Sequence, residues 1–372
     1  MNKFIALASP DIGKKEIALV NEVLKSGMLV QGKYVQKIEQ LIAEYVGVKH
    51  AVCVSSGTAT LHLILKALQI GEGDEVIVPA FSFIATANVV ELVGAKPVFV
   101  DIDLQTYNLN PEELTKAITP RTKAIIVVHE FGLAANLEPI IEFSKKNGLF
   151  LIEDAACAIG GTYKNDKLGS FGIAGSFSFH PRKVITSGEG GIVTTNDDVL
   201  AEKIRVYRNH GIIVRNGIAE FIEAGFNYRM TDIQAALILP QFQRLDSIIK
   251  ARNILAELYL RNLDRSLLKL PIVPSGYLHT WQTFHVILSS KKTRDVAIEE
   301  LAKKGIGTNY GAQCIPETSY YSSKYEMDLQ KVPNALTAYS RGLALPLYEK
   351  LTQKDIRFIS NQLNQICLSH DL

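Results

Sequence analysis

The chain has 372 residues, of which 47% are hydrophobic and 21% charged, so it belongs with ordinary globular proteins rather than disordered or fibrous ones. Its 40 basic and 38 acidic residues leave a net charge of +2 with no long run of one sign, which excludes an obvious nucleic-acid-binding or membrane-binding surface. The four cysteines lie far apart and form no CxxC pair, so the sequence predicts neither a metal site nor disulfides and favours a reducing, cytoplasmic setting.

The N-terminal stretch contains no apolar run of the kind that a signal peptide requires, because charges at Lys3, Asp11 and Lys14 interrupt it. The longest uncharged stretches, such as residues 76–90, fall short of the roughly 20 apolar residues that span a bilayer. We therefore expect neither secretion nor a membrane partner.

Short β-branched runs alternate with helical patterns from residue 50 to about residue 195, after an amphipathic helix predicted over residues 11–24. Such alternation is typical of an α/β fold with a parallel sheet between helices. Most of the runs are continuously apolar, as in strands that are covered on both faces. Seven strands are predicted, over residues 51–54, 76–79, 97–100, 124–129, 149–152, 176–180 and 192–195.

The remaining predicted elements suggest a second domain. A long helix over residues 231–256 is expected to break or kink near Pro240, because proline removes a helical hydrogen bond. Strand runs around residues 281–288 follow it. The boundary placed along the long helix gives a large domain over residues 1–245 and a smaller α+β domain over residues 246–372. The other helices are predicted over residues 59–68, 197–208, 295–304 and 354–366.

Two carboxylates, Glu153 and Asp154, stand where an apolar strand ends. Ligands of open parallel sheets bind at the carboxyl ends of the strands. A carboxylate in that place can bind a metal, orient a base or keep a pyridinium nitrogen protonated, and the strand context does not choose among these roles. A helix N-cap aspartate is the purely structural alternative.

Lys183 follows a period-2 strand and precedes a loop with three glycines, 29 residues after Asp154. That separation is close to one strand–crossover–strand unit. A lysine held among aromatic and glycine-rich sequence is partly desolvated, which frees its amine for Schiff-base chemistry. Most lysines are exposed surface groups, so the flanking sequence is what makes Lys183 a candidate.

The segment VSSGTATLHL, residues 54–63, is a strand, a Ser/Gly/Thr turn and a helix start. Free N–H groups and the helix dipole at such a turn can bind phosphate, and Gly57 lets an anion approach closely, although such a turn is as often a plain N-cap.

Two nucleotide-binding motifs are excluded. Tyr34 stands where a P-loop needs Ser or Thr, and GEGDEV at residues 71–76 lacks the third glycine of a dinucleotide fingerprint.

A phosphate turn, a strand-end aspartate and a later lysine are laid out as in fold-type I pyridoxal-phosphate enzymes. More narrowly, the chain resembles the DegT/DnrJ/EryC1/StrS family of nucleotide-sugar aminotransferases from near Ser26 to about Ala236. FSFHPRK followed by GEGG is the most specific part of the resemblance. The other segments that carry it are SSGTATLHL, VPAFSFIATANVVELVGAKPVFVDID, TKAIIVVHEFG, LIEDAACAIG and GFNYRMTDIQAA.

The resemblance implies a fold-type I transferase with a seven-stranded, mostly parallel sheet and pyridoxal 5'-phosphate (PLP) as its cofactor. Lys183 would join PLP covalently and then carry protons between cofactor and substrate carbons. Asp154 would pair with the pyridine nitrogen, and Phe83 would stack on the ring. The residues implied for the cofactor phosphate are Gly57, Thr58 and Ser178.

Arg229 matches the position from which the neighbouring subunit contacts the phosphate in this family, so a homodimer with active sites at the subunit interface is implied. The structural alternative is a helix-start arginine paired to Asp232.

The sequence departs from the family at Cys157, where relatives usually have His or Gln beside the cofactor, and in residues 305–316, which lack the usual His-Tyr substrate pair. The substrate contacts then expected are Met28, Tyr310 and Gln313.

The activity implied is transfer of an amino group from glutamate to a keto carbon of a nucleotide-linked deoxysugar, with C4 favoured over C3, in amino-sugar and polysaccharide biosynthesis such as that of lipopolysaccharide O-antigen. A PLP-dependent sugar dehydratase or deoxygenase is one alternative. Family members of that kind replace the lysine by His, whereas Lys183 is present here. A non-enzymatic PLP-binding regulator is the other, and retention of both Lys183 and Asp154 disfavours it.

Overall fold

The computed structural model describes residues 4–370, and its largest element is a seven-stranded sheet. All seven predicted strands are present, and their ends differ from the predicted ends by at most two residues. No helix within the described range is long and apolar enough to cross a membrane. The strands are β1 (His50–Val54), β2 (Glu75–Pro79), β3 (Lys96–Val100), β4 (Thr122–Val128), β5 (Phe150–Asp154), β6 (Ala174–Ser178) and β7 (Gly191–Thr195).

The strand order is β1-β7-β6-β5-β4-β2-β3, and only β7 runs antiparallel to its neighbours. The predicted mostly parallel sheet is thereby confirmed. In the register of the three central strands, Val128 lies beside Asp154, and Asp154 lies beside Ser176. The carboxyl ends of β4, β5 and β6 consequently meet at one edge of the sheet.

Helices cover both faces of this sheet, which explains why its strands are continuously apolar. Successive side chains of a strand point to opposite faces, so Ile125 and Val127 of β4 join one core while Ala124 and Ile126 join the other. The thirteen helices of the described chain are α1 (Lys14–Ser26), α2 (Lys33–Val46), α3 (Gly57–Ala67), α4 (Ala85–Leu92), α5 (Leu114–Ala117), α6 (Leu137–Asn147), α7 (Asp198–Arg208), α8 (Asp232–Phe242), α9 (Leu245–Asn262), α10 (Lys291–Lys303), α11 (Ser319–Tyr325), α12 (Pro333–Arg341) and α13 (Gln353–His370).

A smaller antiparallel sheet, of β8 (Leu268–Lys269), β9 (Phe284–Leu288) and β10 (Gly342–Leu345), forms a separate core with α9, α10 and α13. Helix α9 joins the two cores. Leu245 near its start belongs to the large core, whereas Tyr259 near its end belongs to the small one. We propose on this ground that the domains divide at the start of α9, into residues 1–245 and 246–372.

The long helix predicted over residues 231–256, with a break or kink near Pro240, is present as two helices, α8 and α9. The break lies at residues 243–244, just after Pro240, which α8 accommodates in its last turn. Arg244 leaves helical geometry with φ −113° and ψ 14°, and its guanidinium donates to the Asp11 carboxylate over 2.6 Å. A contact with the N-terminal segment therefore coincides with the break, and this contact is not evident from the local sequence around Pro240.

Candidate active site

A cavity of about 360 Å³ opens at the sheet edge where β4, β5 and β6 end, beside the first turn of α3. Residues from the proposed second domain also line it, namely Gln282, Thr283, Gly311 and Ala312. The fold thus brings together side chains that lie more than 120 residues apart in the sequence. The predicted cofactor residues that line the cavity are Gly57, Thr58, Phe83, Asp154, Cys157, Ser178 and Lys183.

Asp154 is the last residue of β5, and its carboxylate is buried in the wall of the cavity. One oxygen accepts from the Thr86 hydroxyl over 2.8 Å, and the other accepts from the backbone N–H of Ala156 over 3.2 Å. No helix starts after Asp154, so the alternative of an N-cap aspartate is wrong. Burial raises the pKa of Asp154 above its ordinary value, against the hydrogen bonds that lower it.

The neighbouring Glu153 has a structural role instead. Its oxygens accept backbone N–H bonds from Gly169, Phe171 and Gly172 at 2.7–2.9 Å, and His129 Nε2 lies 3.0 Å away. Every one of these contacts is buried or nearly so, and they tie the loop before β6 to the sheet. Of the two predicted carboxylates, only Asp154 therefore faces the cavity.

Lys183 lies in the loop between β6 and β7, with its Nζ 3.0 Å from the Cys157 Sγ inside the cavity. This loop folds back on the end of β6, because Phe179 exchanges backbone hydrogen bonds with Ser187 and Gly190 at 2.8–3.0 Å. These backbone hydrogen bonds fix the loop that carries Lys183 and so position its amine. Burial raises the pKa of the Cys157 thiol, so an uncharged sulfur stands beside the amine.

The first turn of α3 presents backbone N–H groups to the cavity. Ser56 caps the helix by accepting from the Ala59 N–H over 3.1 Å, whereas the first N–H groups of a helix have no partner within it. A Cβ on Gly57 would lie only 2.7 Å from the Ser178 Cβ, so glycine is what allows the helix start to approach Ser178. The N–H groups of Gly57 and Thr58 and the Ser178 hydroxyl form a cradle suited to an anion.

These groups fit PLP in each of its parts. Lys183 offers an amine for its aldehyde, Asp154 a buried carboxylate for its pyridine nitrogen, and the α3 start an N–H cradle for its phosphate. A parallel sheet that carries this set at the carboxyl ends of its strands defines a fold-type I PLP-dependent enzyme.

Comparison with known proteins narrows this class. The sequence model of the DegT/DnrJ/EryC1/StrS aminotransferase family matches residues 10–364 of this chain. The chain is 40% identical to the spore coat polysaccharide biosynthesis protein SpsC of Bacillus subtilis, over 95% of each chain. It is also similar to Spr1654 of Streptococcus pneumoniae, which has been solved in PLP and PMP forms. The PMP form superimposes with a TM-score of 0.95 and 29% identity, over 99% of this chain and 98% of Spr1654.

Another solved relative is PseC of Helicobacter pylori, an aminotransferase involved in the biosynthesis of pseudoaminic acid. It superimposes with a TM-score of 0.93 and 30% identity, over 99% of this chain and 100% of PseC. This chain therefore belongs to the DegT/DnrJ/EryC1/StrS aminotransferase family, and it is a PLP-dependent aminotransferase of sugars. The resemblance inferred from the motifs is confirmed, as are the enzyme class and the cofactor.

Arg229 lies outside the cavity of its own chain. Its Nη1 donates to the Asn209 Oδ1 over 2.5 Å, beside the loop that leads to a β-hairpin. The alternative pairing with Asp232 is wrong, because the Asp232 carboxylate instead accepts from the backbone N–H groups of Gly32 and Val35, each over 2.9 Å. The Asp232 carboxylate therefore caps the N-terminus of α2.

The three predicted substrate residues also lie outside the cavity lining. Met28 is 74% exposed and Tyr310 is 38% exposed. Gln313 sits in a short strand paired with Ser82, and its Oε1 is buried without a hydrogen-bond partner among the described residues. The segment that contains Tyr310 and Gln313 still reaches the cavity at Gly311 and Ala312.

Sequence reasoning missed Glu130, which is buried in the cavity wall. Burial raises its pKa to about 8. A signal for it existed, because Glu130 follows the apolar strand β4 much as Asp154 ends β5, and parallel strands end at one edge of the sheet.

Proposed function

We propose that this enzyme transfers an amino group from glutamate to a keto carbon of a nucleotide-linked deoxysugar in the cytoplasm, with C4 favoured over C3. The observation that carries the proposal is the convergence of Lys183, Asp154 and the α3 start on one cavity. The names of two similar proteins support a role in making amino sugars for polysaccharides. SpsC is a spore coat polysaccharide biosynthesis protein, and PseC takes part in pseudoaminic acid biosynthesis.

Bound PLP supplies an electron sink that lets an amino group pass between two carbon skeletons. In our proposal the Lys183 amine would bind the cofactor and afterwards move a proton at Nζ between the substrate carbon and the cofactor carbon in each half reaction. Asp154 would keep the pyridine nitrogen protonated, and Cys157, whose Sγ lies 3.0 Å from the Lys183 Nζ, would contact the cofactor. Phe83, which lines the cavity and is 62% exposed, would stack on the ring. The phosphate contacts are assigned to Gly57, Thr58 and Ser178.

A homodimer with active sites at the subunit interface is part of the proposal. The hairpin Ile212–Arg215 and Ile218–Phe221 exposes apolar side chains, with Ile218 and Phe221 among the most exposed large hydrophobic residues of the described chain. Such a surface is suited to burial against a second subunit. Arg229, beside this hairpin, would then reach the partner's phosphate cradle, and the substrate contacts expected are Met28, Tyr310 and Gln313.

The test of the catalytic proposal is covalent trapping. Borohydride added to the yellow holoenzyme should reduce the link between protein and cofactor, and mass spectrometry should find the label on Lys183. Lys183→Ala should lose the colour and the transamination, whereas Lys303→Ala, which removes an exposed lysine of α10, should keep both. Full transamination by the Lys183→Ala protein would refute the role of the lysine.

The substrate proposal is tested by half reactions. Glutamate should convert the bound cofactor to its amine form and bleach the yellow colour, and a panel of nucleotide-linked 3-keto and 4-keto sugars should restore it selectively. If glutamate causes no change, the regulator hypothesis gains support. If a keto sugar loses a hydroxyl group without gaining nitrogen, the enzyme is a dehydratase or deoxygenase.

A further inference from the structure

Three basic residues line the cavity, and they differ in what they are free to bind. Lys183 is assigned to the cofactor. His180 is mainly neutral at pH 7, because burial lowers its pKa below the ordinary value. Arg182 lies between them in the sequence and keeps its charge, since a guanidinium does not lose its proton in proteins. Of the described lining, Arg182 is therefore the residue that can hold a substrate anion.

The backbone at Arg182 is fixed from two sides. Its N–H donates to the His180 Nδ1 over 3.2 Å, and its carbonyl accepts from the Gln282 Nε2 over 2.8 Å. Gln282 is itself buried and accepts at Oε1 from the Thr283 hydroxyl over 2.9 Å. Two segments of the cavity wall, 100 positions apart in the sequence, thus hold Arg182 directly before Lys183.

The side chain of Arg182 is free in a way that other arginines are not. Its guanidinium has no hydrogen bond or ion pair with another described residue, although the acid Glu189 lines the same cavity. By contrast, the buried Arg208 donates to the Glu39 carboxylate over 2.6 Å. An unpaired guanidinium in the lining of a cavity is suited to a carboxylate, because two of its N–H groups can engage both oxygens.

The position of Arg182 indicates which carboxylate it can meet. Glutamate has one carboxylate on the reacting carbon and a second at the end of its side chain. The reacting nitrogen must come to the half-buried Lys183, whereas Arg182 is exposed. The more exposed guanidinium therefore fits the second carboxylate, which extends away from the reacting carbon.

On the basis of the proposed function, we infer that Arg182 binds the side-chain carboxylate of the amino donor and so determines the preference for a dicarboxylic amino acid. The contact is a charge-assisted hydrogen bond made in the donor half reaction. A neutral donor of the same shape, such as glutamine, leaves the guanidinium without its ionic partner. Arg182 is thus a specificity residue of the donor.

A phosphate of the nucleotide-linked acceptor is the other anion that a guanidinium could take. In such an acceptor the diphosphate is attached at C1 of the sugar, across the ring from a keto group at C4. Only two CH₂ groups separate the reacting carbon of glutamate from its second carboxylate. Because Arg182 directly precedes Lys183, the nearer anion is the one on the donor.

The first test measures donor preference by stopped flow, as the second-order rate constants for bleaching of the holoenzyme by glutamate and by glutamine. Arg182→Gln should lower the glutamate-to-glutamine ratio about 10- to 100-fold. Arg182→Lys should retain part of the ratio, because it keeps the charge but loses the planar fork. The matched variant Arg261→Gln, at an exposed arginine of α9, should keep the wild-type ratio.

Two results of this test would overturn the inference. One is an unchanged ratio in Arg182→Gln protein that circular dichroism shows to be folded. The other is a larger loss in the keto-sugar half reaction than in the glutamate half reaction, because that assigns the guanidinium to the acceptor.

The second test needs no turnover and uses glutarate, which has two carboxylates and no amine. Calorimetric titration of the holoenzyme, in which the cofactor fills the phosphate cradle, should show glutarate binding in wild type and Arg261→Gln. Arg182→Gln should bind it about tenfold or more weakly. Absent binding in wild type, or equal affinity in Arg182→Gln, contradicts the inference. If glutamate fails to bleach the wild-type enzyme, the proposed donor is wrong, and the titration still decides whether Arg182 binds a carboxylate.

Discussion

Glu153 and Asp154 are consecutive residues of β5, yet their carboxylates serve different ends because successive strand side chains point to opposite faces. Asp154 faces the cavity, where Thr86 holds one of its oxygens. Glu153 points away from it, and both of its oxygens accept backbone N–H bonds from the loop before β6. We propose that Asp154 serves the reaction, whereas the contacts of Glu153 stabilise the fold.

Substitution should separate these two roles. Glu153→Gln turns an amide NH₂ towards a backbone donor whichever way it is oriented, so we expect a loss of about 3 kcal/mol in the free energy of unfolding, measured in urea. Asp154→Asn should change that free energy by less than about 1 kcal/mol and slow the glutamate half reaction about 100-fold. Equal destabilisation by the two variants would contradict this division of roles.

Gly57 gives a second prediction at the scale of one residue. Gly57→Ala places a methyl group 2.7 Å from the Ser178 Cβ, so the start of α3 must shift and the phosphate cradle must open. We expect PLP affinity, measured by fluorescence titration, to fall about tenfold or more, with about 1 to 3 kcal/mol of lost stability. The control Gly13→Ala, before α1, meets its nearest atom at 3.4 Å and should change neither by much.

At the scale of elements, the Asp232 carboxylate links two helices. Asp232 is the first residue of α8, and its oxygens accept from Gly32 and Val35 at the start of α2, a helix that sequence analysis did not predict. The approach is close, since a Cβ on Gly32 would lie 2.8 Å from Asp232 Oδ2. A tertiary contact 200 residues away in the sequence therefore caps α2, which its own N-cap glycine cannot do through a side chain.

Removing this cap should destabilise the large domain. Asp232→Ala leaves buried N–H groups of α2 without acceptors, and we expect it to lower the free energy of unfolding by about 3 kcal/mol. Asp198→Ala is a suitable comparison, because Asp198 is likewise the first residue of its helix but has a 70% exposed side chain. It should cost less than about 1 kcal/mol. Similar losses in both variants would argue against the interhelical cap.

At the scale of the whole molecule, three buried groups give stability a defined pH dependence. Burial lowers the pKa of His279 and of His285 to about 3, so below about pH 6.5 the unfolded chain binds protons that the folded chain does not, and stability falls as the pH falls. Burial raises the pKa of Glu130 to about 8, so the folded chain keeps a proton that the unfolded chain has lost above about pH 4.5. That group makes stability fall as the pH rises.

The three contributions together predict maximum stability near about pH 6.5, with slopes of about 1.4 kcal/mol per pH unit on either side. Urea unfolding of the cofactor-free chain between pH 4 and pH 9 measures this profile. Glu130→Gln should flatten the alkaline side and leave a decline on the acid side. An alkaline slope that survives this substitution would show that other groups cause it.

The sequence by itself determined the seven strands of the large sheet, its mostly parallel order and the family. Apolar runs and the segments around Lys183 and Asp154 are local, so they can be read without coordinates. Local patterns identified Gly57, Asp154 and Lys183, and the family resemblance added four more residues. All seven line one cavity.

Only the tertiary structure decided which side chains meet across long separations. It placed Glu130 in the cavity wall, turned Glu153 away from it, assigned Asp232 to the start of α2 and brought Arg244, at the helix break, into contact with Asp11. The physical reason is that burial, cap acceptors and charge partners depend on distances in space. These distances join residues up to 233 positions apart in the sequence, so the sequence pattern within one element does not predict them.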